Sequence, residues 1–590
     1  MNRKKYSLVL LIMAAVLTTV PAAAQDNGKK VLNKEITLEK DFVPVETKAT
    51  KKNVLPKVQK PAATTTRTDL SYSNWTDPVT VPTTIPTMMP YGYRTAHIFS
   101  DARGYMDVGG GTQGNFAASL GYRLLQNEKS QLKLWLQHNS SWVGKNSSKV
   151  VPDEVKRLKQ QTNDNVLGVD FSSLVGPGTV SLGLTGHVDN FNYYGGWGED
   201  WEKDKQTFHN IGLWAQWASD FHLLDRQLNY KARLDYSHAG YDKPINQLYK
   251  HGVSENWARL TLSGDYTLQS GSVAGLTIAG DYLNRWAGVR DDYAPELSDD
   301  LGMITLSPYY IFSNDIFRLQ VGVNANISFS DGATLRFSPN VRLNMDVAGG
   351  VSLFANALGG KSLSRLEPQH HLNRYDDPLT LYSSVYTPLD VEGGFKFGPF
   401  TGFSATLSVG YDIVKGRPLV CYTGSLADQA TYWGLATRYI VRDTYGWFFN
   451  AEVSYKYRDL AEATACLRYA PQDDELGGGD SKLSGYDTGY DRAATMAAFD
   501  VKVHPMRQLT LNAGVDYRGG RKMLAQPLAD VFEFWKMDDV VDLHLGASYR
   551  FDKTLTVWAQ AGNLLNRRYD VLTGMGAQRF NVMAGVGVTF

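Results

Sequence analysis

The stretch VDLHLGASYRF, Val541 to Phe551, alternates along its length. Val541, Leu543, Leu545, Ala547, Tyr549 and Phe551 fall on one side of an extended chain, and Asp542, His544, Ser548 and Arg550 on the other. Side chains of a strand point to opposite faces with a period of two, so this run predicts a strand with one apolar and one polar face. Leu228 to Tyr236 repeats the pattern, with Leu228, Tyr230, Ala232, Leu234 and Tyr236 set against Lys231, Arg233 and Asp235. In Phe580 to Phe590 every even position except the small Ala584 carries a large apolar side chain. The same period persists from about residue 103 to the C-terminus.

Two architectures make such strands. A soluble sandwich turns the apolar face inward, whereas a membrane barrel turns it to lipid and lines its lumen with the polar face. The connections separate the two. Tight turns at Gly176 (GPG), Ser270 (SGS), Ser313 (SND), Ala348 (AGG) and Phe551 (FDK) alternate with long connections. The latter lie near residues 144–160, 241–255, 287–302, 364–387, 418–430, 460–495 and 521–540. Short turns at one end and long loops at the other are the habit of outer-membrane barrels. The expected fold is therefore all-β: a transmembrane antiparallel barrel of about 22 strands, an even number that returns both ends to the periplasmic side. Tyr236, Tyr266, Tyr282, Tyr549, Phe551 and Phe590 are expected in its interfacial aromatic girdles.

The chain's 590 residues contain abundant glycine and tyrosine and only two cysteines, which suits many short strands better than a helical enzyme. Residues 1–24 read as a secretory signal: Arg3, Lys4 and Lys5, an apolar run, then Ala22-Ala23-Ala24 before Gln25. No later stretch of about 20 apolar residues offers a transmembrane helix. Without the three basic residues the chain is slightly acidic, so nucleic acid is not an expected partner. Residues 25–95 alternate charges and then turn rich in threonine and proline, a composition that reads as a flexible periplasmic arm. Within it, residues 34–61 can dock on a periplasmic protein, with Ile36 to Val45 offered as an added strand.

The C-terminal run WAQAGNLLNRRYDVLTGMGAQRFNVMAGVGVTF resembles the last two strands of TonB-dependent receptors, whose penultimate strand ends in an Asn-Leu-Leu-Asn-Arg-Arg-Tyr corner and whose last strand ends in phenylalanine. LEPQHHLNRYDDPLTLYSSVYTPLDVEGGFKFGP is similar to a receptor segment in which a surface loop returns into a strand, and Gly104 to about Gly195 resembles receptor-like barrels of Bacteroidetes-type bacteria. The resemblance implies an outer-membrane barrel of a Gram-negative bacterium that takes part in solute uptake or passage. It departs from the receptors upstream, where the residues before the first strand are too few for a plug domain and no clear TonB box stands. The alternative role is a structural or assembly barrel that recruits its partner through the arm.

Several residues are candidates for chemistry. Lys231, Arg233, Asp235, Arg259, Asp265, Asp281, Asp542 and Arg550 are expected on the lumen side, along a solute path or simply solvating its wall. Tyr193, Tyr194, Trp197 and Trp201 flank Glu199 and Asp200 in a surface loop, where aromatic faces can stack on a flat ligand or join the girdle. Cys421 and Cys466 fall in two connections on the same side and can pair. His370, His371, Asp376 and Asp377, and the run from Pro471, hold metal-ligand residue types without the spacing of a known cage; loop polarity explains them, and no metal or cofactor is assigned. A phospholipase-type barrel needs Ser, His and Asn or Asp on its lipid-facing wall. His138 is in phase with Leu132, Leu134 and Leu136, beside Asn139 and Ser140, but a strand end nearing the interface explains it as well. No enzyme motif stands in the sequence, and none is assigned.

Overall fold

The computed structural model describes residues 102–143, 160–192, 205–219, 227–243, 252–288, 297–329, 334–375, 384–422, 437–471, 482–484, 493–528, 531–572 and 575–590. They form one antiparallel sheet that closes on itself as a barrel of 22 strands. Strand β1 (Gly104–Gly111) pairs on one side with β2 (Phe116–Gln126) and on the other with the last strand, Asn581–Thr589, in the register Tyr105↔Thr589 to Gly111↔Met583. Closure pairs the edges that a sheet of this size would otherwise expose, which is the condition for strands to cross a bilayer. No described helix is long and apolar enough to cross a membrane. Among the described residues no plug domain accompanies the barrel. The signal and the arm lie outside the described residues.

Around the wall follow β3 (Ser130–Val143), β4 (Gln160–Val175), β5 (Gly178–Asn192), β6 (Lys205–Ser219), β7 (Leu228–Tyr241), β8 (Ser254–Thr267) and β9 (Val273–Ala287). At one end the hairpins are tight. Asn127, Asn314 and Asp552 each accept backbone N–H bonds from the second and third residues ahead, closing three of these turns in the same way. The Thr554 and Leu555 N–H groups hold the Asp552 carboxyl below its ordinary range, because they stabilise its ionised form. Between β4 and β5 the turn is Gly176-Pro177, with Gly176 at φ 57°, a left-handed conformation that favours glycine.

The outward face carries Leu182 (44% exposed), Leu213 (48%), Leu234 (50%) and Leu260 (47%), a continuous apolar belt across β5 to β8. Water penalises such a belt and acyl chains match it. Tyrosines bound it where the phenol can reach a polar partner. Tyr266 donates to Gln227 at the short-turn end, while Tyr236 and Tyr282 donate to Asn256 and Asp300 toward the other. Phe590 stacks on Tyr122, and Tyr549 meets Phe551 edge-on. The expected girdle is thus in place.

The AGNLLNRRYD stretch forms a corner at the long-connection end. Asn563 and Asn566 hold left-handed backbones at φ 45° and 51°. Asn563, 1% exposed, donates to the Arg567 and Gln578 carbonyls, accepts from the Arg567 N–H, and its own N–H reaches Asp542 Oδ1 at 2.9 Å. Asparagine is among the few side chains that tolerate this conformation and can also supply such bonds locally.

Two sequence expectations need correction here. The connection expected near 460–495 begins only after a further strand, Ala461–Tyr469, and that near 521–540 is largely an extended hairpin, Leu509–Leu528 with Val531–Lys536. In consequence Cys466 is a strand residue, and Cys421 is another, near the end of Phe403–Tyr422. Strand Thr437–Tyr457 lies between them, pairing Arg438 with Cys421 and Glu452 with Cys466. Those partners are separated by fourteen residues, roughly 45 Å of strand. A disulfide needs Cα atoms within about 7 Å, so Cys421 and Cys466 are not joined by one.

Candidate functional site

The strand register puts Lys231, Arg233, Asp235, Arg259, Asp265 and Asp281 on the face opposite the apolar belt, and Asp542 and Arg550 likewise on theirs. Several of them hold one another or a neighbour. Arg233 donates to Asp235 at 2.7 Å and sits 4.9 Å above the Trp214 ring; Arg259 approaches Asp281 at 3.6 Å; Asn229 donates to Asp265. Asp542 also accepts from Tyr569, so it braces the Asn563 corner.

Into this wall folds a segment whose polar sequence predicts a surface loop. After strand Val351–Leu363 the chain forms helix α1 (Leu366–Leu372) and then Asn373 to Tyr375, packed against the inward side chains of β5 to β9. Its entry is clamped by a buried ion pair. Arg285 and Glu255, 0% and 1% exposed, meet at 2.6 Å, Arg285 donates to the Ser364 carbonyl at 2.7 Å, and the Leu366 N–H donates to the Glu255 carboxylate. The first N–H groups of a helix have no internal acceptor, and Arg365 at the N-cap supplies none; the Glu255 carboxylate takes that place.

The far end is held by Asp189, which is fully buried. Arg374 donates to it at 2.7 to 3.0 Å and His370 Nε2 at 2.9 Å. A carboxylate only accepts, so Nε2 carries the proton, and Nδ1 accepts from the Tyr241 hydroxyl at 3.1 Å. The Phe208 ring stacks on the imidazole, with centroids 3.8 Å apart. Burial pushes the His370 pKa down to about 4; the Asp189 contact opposes this, and Arg374 and His187 add to it. His370 is therefore no solvated loop residue, as expected from the sequence, but the neutral centre of the anchor. Among the described residues no cluster of His, Cys, Asp or Glu is arranged to hold a metal.

Beneath α1 a pocket of about 370 Å³ opens, lined by Thr185, His187, Asn210, Trp214, Asp235, Trp257, Arg365, Glu367 and His371. Arg365 stacks on Trp257 at 3.7 Å and pairs with Glu367; His187 and His371 stack face to face at 5.3 Å. The buried Asn210 Oδ1 and Arg365 Nε, both on residues of this lining, make no hydrogen bond within the protein. Of the residues singled out in the sequence, Asp235 and His371 line this pocket. The missed members are single polar residues on inward faces, and the pairing that gathers them spans nearly 200 residues. Tyr193, Tyr194, Trp197 and Trp201 lie outside the described residues, as do Asp376, Asp377 and the 34–61 segment.

The architecture has known counterparts. The chain superposes on the ferric enterobactin receptor PfeA of Pseudomonas aeruginosa in complex with enterobactin, at 12% identity and TM-score 0.62, over 83% of this chain and 82% of that one. The ferripyoverdine receptor of the Pseudomonas aeruginosa outer membrane bound to ferripyoverdine matches at 13% identity and TM-score 0.57, over 83% and 72%. No family model and no curated protein matches the sequence. At these identities the likeness establishes the fold alone, a closed antiparallel β-barrel of 22 strands like those of these two outer-membrane proteins.

Proposed function

We propose that the barrel takes part in the passage of a small polar solute across the outer membrane, with residues 364–375 setting the width of its outer mouth. The observation that carries this reading is the inward-folded segment itself. It lies on the charged wall of the lumen, is tied there by Glu255, Arg285 and Asp189, and roofs a pocket whose lining residues include an unpaired donor and acceptor. A wall with both charge signs and a local constriction is how β-barrel pores select among solutes. The solved structures that share the fold are receptors for ferric enterobactin and ferripyoverdine, which agrees with a role in uptake.

Single-channel recording of the full-length protein in planar bilayers tests the reading. Discrete conductance that rises in Glu255→Ala, where the clamp is lost, supports it. A silent wild type together with a silent Glu255→Ala variant counts against any passage through this lumen.

A further inference from the structure

On the opposite, lipid-facing side of the wall, at the long-connection ends of β3 and β4, three side chains form an ordered chain of hydrogen bonds. His138 and Ser140 stand two residues apart on β3, in phase with Leu134 and Leu136, and Asn165 lies directly across from His138 on β4. His138 Nδ1 is 2.8 Å from Asn165 Oδ1, and His138 Nε2 is 3.2 Å from Ser140 Oγ. The tautomer follows from the next partner along. Asn165 Nδ2 donates to Asn163 Oδ1 at 2.6 Å, which turns Asn165 Oδ1 toward the imidazole. That oxygen only accepts, so Nδ1 carries the proton and Nε2 presents its lone pair to the Ser140 hydroxyl.

We propose that Ser140, His138 and Asn165 form an acyl-ester hydrolase site that takes a membrane lipid directly from the bilayer. Nucleophile, base and orienting group hold the mutual geometry by which such triads are recognised whatever the fold. Asn163 stands across from Ser140 in the register, and its amide nitrogen, not used by this network, is available to the oxyanion. A cleft of about 260 Å³ adjoins the site, lined by Ser140, Trp142, Asn163, Asn190 and Lys205 among others. Trp142 is 60% exposed to the lipid side, and the Lys205 ammonium suits an anionic headgroup.

The chemistry balances with water alone. Ser140 Oγ bonds to the ester carbonyl carbon while its proton passes to His138 Nε2. The carbon–oxygen bond to the lipid alcohol breaks, and that alcohol leaves with the proton. Water then attacks acyl-Ser140, giving its proton to Nε2, and the fatty acid departs as Ser140 recovers its hydrogen. Ser140 and His138 are the catalytic residues; Asn165 is a positioning residue.

The test uses the purified full chain in mixed micelles of phosphatidylglycerol and, in a second arm, of lipopolysaccharide, with released fatty acid measured and a lipophilic fluorophosphonate used to label the serine. The expected result is release that falls roughly 10³-fold or more in Ser140→Ala and His138→Ala, with the label's mass on the peptide containing Ser140. The arm that responds identifies the lipid. Asn165→Leu should lose about 10²-fold or more, while Asn165→Asp should retain activity with the acidic limb of its pH profile moved upward, since a carboxylate stabilises the imidazolium. Heat-modifiable gel mobility confirms that each variant remains a barrel. No release by wild type in either arm, or release that survives Ser140→Ala, overturns the proposal and leaves the passage reading untouched.

Discussion

His370 Nε2 and Asp189 Oδ2 lie 2.9 Å apart although 181 residues separate them in the chain. The burial of His370 at this contact makes docking of the 364–375 segment sensitive to acid. The docked imidazole is neutral, with a pKa of about 4 against an ordinary value of 6.5, chiefly because it is buried. Between those values the undocked segment binds a proton that the docked one does not. Docking is therefore at full strength above pH 6.5, weakens as pH falls, and has lost on the order of 3 kcal/mol by pH 4. Hydrogen exchange of the 366–373 amides should accelerate over this window, and His370→Gln, which carries no titratable ring, should show a flat profile.

The Glu255–Arg285 pair should behave asymmetrically. Arg285→Met alone leaves a buried carboxylate and frees the Ser364 carbonyl, for a cost of about 3 to 5 kcal/mol. Glu255→Gln with Arg285→Met removes both charges and should recover most of the barrel's resistance to urea. It should not recover the clamp, because the methionine cannot donate to Ser364. Urea titration should thus approach wild type while protease cleavage within 364–375 stays fast.

At the last corner, two asparagines of similar backbone conformation should respond differently to glycine. Asn566→Gly keeps an allowed left-handed backbone and loses only the long Phe580 N–H contact at 3.3 Å, so it should be nearly neutral. Asn563→Gly also keeps the backbone but strips two carbonyls and one N–H of partners at a site 1% exposed. A loss of about 2 to 3 kcal/mol is expected in detergent unfolding curves.

How far the sequence carries is clearest at this wall. Leu228 to Tyr236 declared both faces of its strand, because a period of two is a local property and closure only had to respect it. The AGNLLNRRYD corner was equally legible as a strand end. The clamp was not. Glu255, Arg285 and Asp189 are single polar residues in alternating strands, and nothing local marks them as facing a helix from beyond residue 363. His138 was legible as lipid-facing and Ser140 as its neighbour, but Asn165 joins them only through pairing across the connection at 144–159. The cysteine pairing failed for the same kind of reason: loop bounds read from composition moved by enough residues to turn a supposed loop thiol into a strand residue.

The two faces of one strand should also separate by mutation. Leu260, 47% exposed, lies in the belt of β8, and the next residue, Thr261, points to the lumen. An arginine at the bilayer midplane of a barrel costs about 2 to 4 kcal/mol, whereas a lumen position leaves the charge in water. Leu260→Arg should therefore shift the urea midpoint of folding into phospholipid vesicles sharply downward, and Thr261→Arg should leave it near wild type. Equal effects at the two positions would falsify the assignment of the apolar face to lipid. A penalty at Leu260 alone would fix the orientation of the whole wall, because the continuous strand register ties every other side chain to this one.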